Sequence, residues 1–307
     1  MNLIALLIGL FIERLATQLF HLRELRWLDR IIDWGFGKTA KLANWPPLVP
    51  VILMVVMLAL PVLGLIWALG WRSEGILAGS SYVIVAIIVL FFSLGPRDIG
   101  EEVDDYCAAL EAEDEEETQR TAKAIIESDV PQDPLQRIHR VEEAVCVQAN
   151  NRLFAVIFWF ILTGPLGAWI YRVTDLIRRR AVFNASRDEQ DGSTAASVRD
   201  AATTLHGWLA WLPARLTALG YAAAGHFDEA IAALRAPDEE QHASRSEQSD
   251  RLLARVGVAA LALQDTTEEP MAERGARGAR AANSLVFRLL VIWVVLISAM
   301  TLYGATQ

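Results

Sequence analysis

Four residues at helical spacing have the chemistry of metal ligands. His139, Glu143, Cys146 and Asn150 stand at i, i+4, i+7 and i+11, so on one helix they share a face. Imidazole, carboxylate and thiolate can all bind a transition metal. Asn150 is a poor ligand, however, and no second cluster supplies the missing ones. The stripe therefore reads as a hydrogen-bonded or solvated face. The acidic run "EEVDDYCAALEAEDEEETQRTAKAIIESD" has contiguous carboxylates rather than the alternate spacing of an EF-hand loop, and reads as one or two surface helices. No Walker A loop, dinucleotide fingerprint, HExxH or GxSxG occurs. No metal and no cofactor is expected.

These residues sit in an unusually apolar chain. Mean hydropathy is +0.30, so membrane segments are the first elements to seek. The net charge of −9 offers no basic face and argues against a nucleic-acid partner. Cys107 and Cys146 lack CxxC spacing and suggest neither a zinc site nor a structural disulfide. The apolar start from Met1 to Ile12 has no basic n-region, so it is not expected to be a secretory signal.

The predicted fold is all-α: a polytopic membrane helical bundle with a cytoplasmic helical portion. Residues 1–45 form an N-terminal amphipathic helix and a basic cytoplasmic loop. Residues 46–96 are two charge-free runs around "WRSEG", a transmembrane hairpin with Pro61 in its first leg. Arg23, Arg26, Arg30, Lys38 and Lys41 precede the hairpin and only Arg72 lies in its turn. The positive-inside rule then places the N-terminus and the chain after Pro96 in the cytoplasm. Residues 97–152 form the acidic cytoplasmic segment, with Pro131 and Pro134 marking a loop and a helix start.

Residues 153–177 read as a broken or re-entrant membrane helix. A full crossing would leave Arg178, Arg179 and Arg180 on the wrong side, whereas a turn at Gly164-Pro165-Leu166-Gly167 keeps them inside. A polar linker (178–204) leads to an amphipathic or membrane helix (205–225). Cytoplasmic helices and a flexible link follow (226–284), then a C-terminal transmembrane helix (285–307).

From Glu143 to Tyr171, and again near Pro213, the chain resembles the membrane-bound adenosylcobinamide-phosphate synthases of cobalamin biosynthesis (the CobD/CbiB superfamily). It also resembles their divergent relatives, the AmpE proteins. The synthases carry E-x-x-A-E-N-x-x-D-G-x-x-A-P-L-F-W, a Gly-Gly turn, G-A-x-x-Y-R and N-T-x-D. This chain keeps Glu143, Ala155, Phe158, Trp159, Gly164, Gly167, Ala168, Tyr171 and Arg172. Of the later D-D-x-x-N-x-x-P-A-R-L-T it keeps Pro213, Ala214, Arg215, Leu216 and Thr217. The departures fall on the polar positions. The inner Glu-Asn falls on Val147 and Gln148, and the Asp-Gly on Asn151 and Arg152. The ends of N-T-x-D fall on Asp175 and Arg178, the paired aspartates on His206 and Gly207, and the next Asn on Ala210.

An ATP-dependent ligase needs carboxylates for its metal and donors for its phosphates. A chain lacking most of that set resembles AmpE, a synthase-like scaffold without the synthase site. What the resemblance implies is a regulatory or signalling modulator in the bacterial inner membrane. It would be linked to β-lactamase induction, antibiotic resistance and peptidoglycan recycling, beside the amidase AmpD. Its partner would be a cell-wall-derived small molecule or a protein of that pathway. Glu143, Asn150, Asn151, Arg152, Tyr171, Arg172 and Arg215 would line the vacated cleft, with Gly164, Pro165, Gly167 and Pro213 as structural turn residues and no catalytic residue. The alternatives are a working corrinoid amide synthase and a transporter subunit.

Overall fold

The computed structural model describes residue 6 and residues 26–39, 45–72, 76–95, 98–127, 129–187, 192–237, 244–264 and 269–305. The expected helix at the N-terminus and the turn of the hairpin lie outside the described residues. Every described element is helical. The order is α1 (Arg26–Thr39), α2 (Leu48–Arg72), α3 (Ile76–Ser93), α4 (Ile99–Glu111), α5 (Glu115–Ile126) and α6 (Pro134–Ala149). A π-helical turn (Asn150–Phe154) follows, then α7 (Ala155–Thr163), α8 (Pro165–Arg187), α9 (Gly192–Ala224), α10 (Phe227–Arg235), α11 (Arg245–Leu261) and α12 (Met271–Ala305).

The acidic segment forms α4 and α5 because its carboxylates sit at helix starts. Asp98 accepts a hydrogen bond from the Gly100 amide, and Asp114 from that of Glu117. Glu115, Glu116 and Glu117 occupy the first turn of α5, where the helix dipole favours negative charge. Asp133 caps α6 with Pro134 at its first position. Ser244 and Glu247 form a capping box on α11.

Three helical stretches among the described residues are long and apolar enough to cross a membrane: Leu48–Ala68, Pro134–Thr163 and Met271–Tyr303. The first leg of the expected hairpin is among them, while Tyr82–Ser93 of the second leg is a shorter apolar helix. On α2, Ile52, Leu53, Val56, Leu60 and Leu63 are exposed; on α12, Phe287, Val291, Val295, Leu296 and Met300 are. Such continuous apolar faces suit lipid better than water.

The core has three parts. One joins α4, α5, α6, the end of α9, α11 and the first half of α12 around Tyr106, Val141, Tyr221 and Val256. A second joins α1, α2, α8 and the start of α9. A third holds α7 against α3 and α8 around Phe160 and Tyr171.

Three segments expected to be irregular are helical. The basic loop before the hairpin contains α1, because Leu28, Ile31 and Ile32 make an apolar face that packs on the α2–α8 core. The polar linker at 178–204 is the end of α8 and the start of α9, apart from the undescribed residues 188–191. Arg180 fixes the first part by a two-pronged pair with Asp33 of α1, while Val198, Ala201 and Ala202 bury the second. The expected flexible link contains the first turns of α12. There Ala276, Ala279 and Ala282 form a small-residue stripe that lies against α4 and α6.

Candidate functional site

The helix that begins at Pro134 widens into a π turn at Asn150–Phe154, where the Ala155 amide donates to the Asn150 carbonyl. Successive residues of an α-helix point about 100° apart, so three in a row cannot share one face. Here Asn150, Asn151 and Arg152 are all buried, because neighbouring helices enclose the widened turn. Beyond α7 the chain turns at Gly164, with φ at 78°, a value that glycine adopts without strain. Pro165 starts the return helix. A Cβ on Gly167 would fall 1.7 Å from Thr163 Oγ1. Pro213 lies inside α9. Helix α8 then comes back beside α7, and the Tyr171 hydroxyl reaches Asn151 Oδ1 at 3.3 Å.

Around this turn lies a closed network of buried charge. Arg152 donates to Glu102 (2.8 Å), Glu127 (2.6 Å) and Gln148 (3.1 Å), which stand on three different elements. Asp175 accepts from Arg172 (3.2 Å), Arg178 (2.8 Å) and Arg179 (2.8 Å). Arg179 closes the circuit by donating to Glu127 and to Gln148 Oε1. Asn150 accepts from Thr217 (3.0 Å) and donates to Asn151 (3.1 Å), whose amide reaches Asp250 at 3.4 Å.

Four arginines, at 152, 172, 178 and 179, thus meet the carboxylates of Glu102, Glu127 and Asp175, while Asp250 is reached through Asn151 and lies in the field of Arg178. Burial works against the Glu127 carboxylate, but Arg179 and Arg152 outweigh it and hold its pKa below the usual range. Glu127 also has a left-handed backbone, with φ at 58°, which ends α5 and is uncommon for a residue with a side chain. Asp250 shows the opposite balance: burial outweighs Arg178 and Asn151, and its carboxyl is pushed up.

One further juxtaposition has the residue types of a nucleophilic site. His206 Nδ1 lies 3.0 Å from Ser246 Oγ, and His206 Nε2 lies 3.7 Å from Asp175. The second distance is too long for a hydrogen bond. Asp175 is already engaged by arginine, all three side chains are buried, and none lines the cleft described below. The arrangement acts as packing between α8, α9 and α11.

The structure gathers Asn150, Asn151, Arg152, Tyr171 and Arg172 into the network and leaves two of the expected residues elsewhere. Glu143 pairs with Arg140 at 2.8 Å on the open side of α6. Arg215 is half-buried, its guanidinium 4.0 Å above the Trp211 ring. The metal stripe does not assemble: His139 turns to Glu142 at 3.6 Å, and Cys146 is buried against α11. Among the described residues, no group of His, Cys, Asp and Glu has the makings of a metal site.

Sequence reasoning overlooked Glu102, Glu127, Asp175, Arg178, Arg179, His206 and Asp250 as site members. A signal existed for three: Asp175, Arg178 and His206 fall on polar positions of the synthase pattern. Between α6 and α11 the surface opens into a cleft of about 760 Å³, lined among others by Glu143, Val147, Gln148, Asp250, Ala254 and Arg255. Gln148 and Asp250 connect it to the network.

Fold and site together define a protein that is helical throughout the described residues, with helices long and apolar enough to cross a membrane and a buried network of paired charges on a turned-back helix pair. The chain belongs to the family described as regulatory signalling modulator protein AmpE, whose model matches residues 1–307. It is also similar to the cobalamin biosynthesis protein CobD of Stutzerimonas stutzeri (strain A1501), at 29% identity over 181 residues, 53% of this chain and 57% of that one. A probable CobD of Pyrococcus abyssi is 30% identical over 139 residues, 45% of this chain and 44% of that one. The chain spans about half the length of these curated relatives. No solved structure matches it.

Proposed function

We propose that the protein is a modulator in the bacterial inner membrane that acts in β-lactamase induction and peptidoglycan recycling, and that it does not run the synthase reaction. The observation that carries this proposal is the engagement of the network's carboxylates. Asp175 and Glu127 each accept from two or more guanidinium groups, and Glu102 is bound by Arg152. A magnesium nucleotide needs carboxylates for its metal, and these would first have to leave arginine.

The network suits a regulator in another way. It links α5, the π turn and α8 through charge-assisted bonds that are strong when complete and costly when one member moves, and it touches α11 through the Asn151–Asp250 contact. A ligand or partner protein of the cell-wall recycling pathway that displaced α11 would therefore be felt at the membrane-turned pair α7–α8.

The test uses a strain lacking the chromosomal copy, complemented with this chain. Inducible β-lactamase after a sublethal β-lactam should return to the parental level. Purified protein given magnesium ATP, a corrinoid acid and an aminoalcohol phosphate should form no amide. Failure to complement, or robust amide formation, would overturn the proposal.

A further inference from the structure

Helix α9 carries an exposed apolar stripe. Trp208, Trp211, Leu212, Leu216 and Leu219 all lie open on it. They stand at i, i+3, i+4, i+8 and i+11, so they share one face. The opposite side of the helix is packed, with Ala214, Ala218 and Tyr221 in the core shared with α6 and α11. A contiguous apolar patch of this kind marks an interaction surface.

The neighbours of α9 indicate what lies against the stripe. The Leu209 carbonyl accepts from Trp159 Nε1 of α7 at 3.1 Å, and Ala210 shares a core with Ile297 of α12. Gly220 closes on α12 as well: a Cβ there would stand 2.5 Å from Leu289 Cδ1. Both partner helices belong to stretches long and apolar enough to cross a membrane, and α9 is not among those stretches. A helix packed along two spans, with tryptophan and leucine on its open side, suits the boundary between headgroups and acyl chains.

Two cations meet beside the stripe. Arg215 lies on the same face, its guanidinium 4.0 Å above the Trp211 ring and its Nη1 donating to the Trp211 carbonyl at 3.0 Å. Arg245 opens α11. It comes close because position 207 is glycine: a Cβ there would stand 3.0 Å from that of Arg245 and 2.7 Å from the Ser246 amide nitrogen. The charge that acts on Arg215 is that of Arg245, and among the described residues no carboxylate pairs with either. Like charges brought together without an acid are neutralised by a shared anion, and phosphate matches the guanidinium fork.

We propose that Arg215 and Arg245 hold the phosphate of an anionic phospholipid whose acyl chains lie along Trp208, Trp211, Leu212 and Leu216. The headgroup supplies the negative charge that the two arginines lack, and the stripe takes the chains out of water. A free phosphate would use the cations and leave the stripe bare, so the two observations together favour the lipid. The assignment is independent of the proposed regulatory function, and either can fail without the other.

Native mass spectrometry of the detergent-solubilised full chain tests this. Phosphatidylglycerol and phosphatidylcholine of equal chain length are offered in equal amounts. Phosphatidylglycerol should be retained at least about tenfold more, the worth of one charge-assisted contact. Arg245→Gln changes an exposed side chain and should bring that ratio toward one, as should Arg215→Gln; Lys38→Gln, at an exposed cation on α1, should leave it unchanged. Glycerol 3-phosphate, a headgroup without chains, should not displace the lipid at equal concentration. A ratio near one in the unaltered protein, an unchanged ratio in either arginine variant, an equal fall with Lys38→Gln, or displacement by glycerol 3-phosphate would overturn the proposal. Because the first and last of these outcomes are read on the unaltered protein, an unstable variant does not blunt the test.

Discussion

Three apolar stretches, each long enough to cross a bilayer, meet different fates in this molecule. In the most apolar window of α12 only 22% of residues are buried, and in that of α2 33%; in the stretch that runs from α6 through the π turn into α7 the share is 67%. The first two present leucine, isoleucine and valine outward, as a bilayer requires. The third is enclosed by α3, α8, α9 and α11, and places Asn150, Asn151 and Arg152 in the protein interior. Length alone does not separate a helix that faces lipid from one that carries a site, although the stretch with the site is the least apolar of the three. The separation lies in what surrounds it, and in whether its polar residues find partners.

The largest effect is expected where that partnership is densest. Asp175→Asn leaves Arg172, Arg178 and Arg179 facing one another without their shared anion, which should cost about 3–5 kcal/mol and lower the melting temperature sharply. The exposed apolar face of α2 responds to a different insult. Leu60→Lys should impair membrane insertion by about 2.5–3.5 kcal/mol, read as a glycosylation-reporter insertion ratio, whereas Leu60→Ala should leave the melting temperature within a degree or two.

A smaller loss is expected at Gly95. A Cβ there would stand 2.9 Å from that of Arg152, so Gly95→Ala should cost about 1–3 kcal/mol in denaturant titrations and shift the network rather than the spans. The mildest test is acid. The pKa of Glu127 is lowered by folding, so the stability it contributes is complete above its unfolded value and is lost as pH falls through the folded one. Glu127→Gln should therefore flatten the acid limb of the stability curve below about pH 4.3. A limb unchanged by the substitution would mean that Glu127 is not held by Arg152 and Arg179 in solution.

The helical class and the first leg of the hairpin were legible from charge-free runs. The start of α6 was legible from its prolines. The turn at Gly164 was legible because Gly-Pro-x-Gly interrupts an apolar run and three arginines follow it. Other features were not. Polar composition at 178–204 and 266–284 suggested loops, yet long arginines and small alanines there pack on distant helices, and tertiary contact overrode local character. Glu127 and Asp250 were invisible as site members because their significance is positional: they lie 25 and 98 residues from Arg152 and meet its network only after folding. Glu143 and Arg215 show the converse. The resemblance marked them as cleft residues; Glu143 does line the cleft between α6 and α11, but it pairs with Arg140, Arg215 stacks on Trp211, and neither joins the network.

Helix α12 has a mechanical consequence. Its 35 residues contain no proline and make one rod of about 52 Å, with the Arg274–Glu142 pair at one end and the lipid-facing leucines and valines at the other. A tilt of about ten degrees, such as a thinner bilayer imposes on a long span, would swing one end by about 9 Å relative to the other. The contacts of Ala276 and Ala279 with the inner helices could not survive such a swing. Bilayer thickness and the packing of the polar half are therefore tied by a single lever.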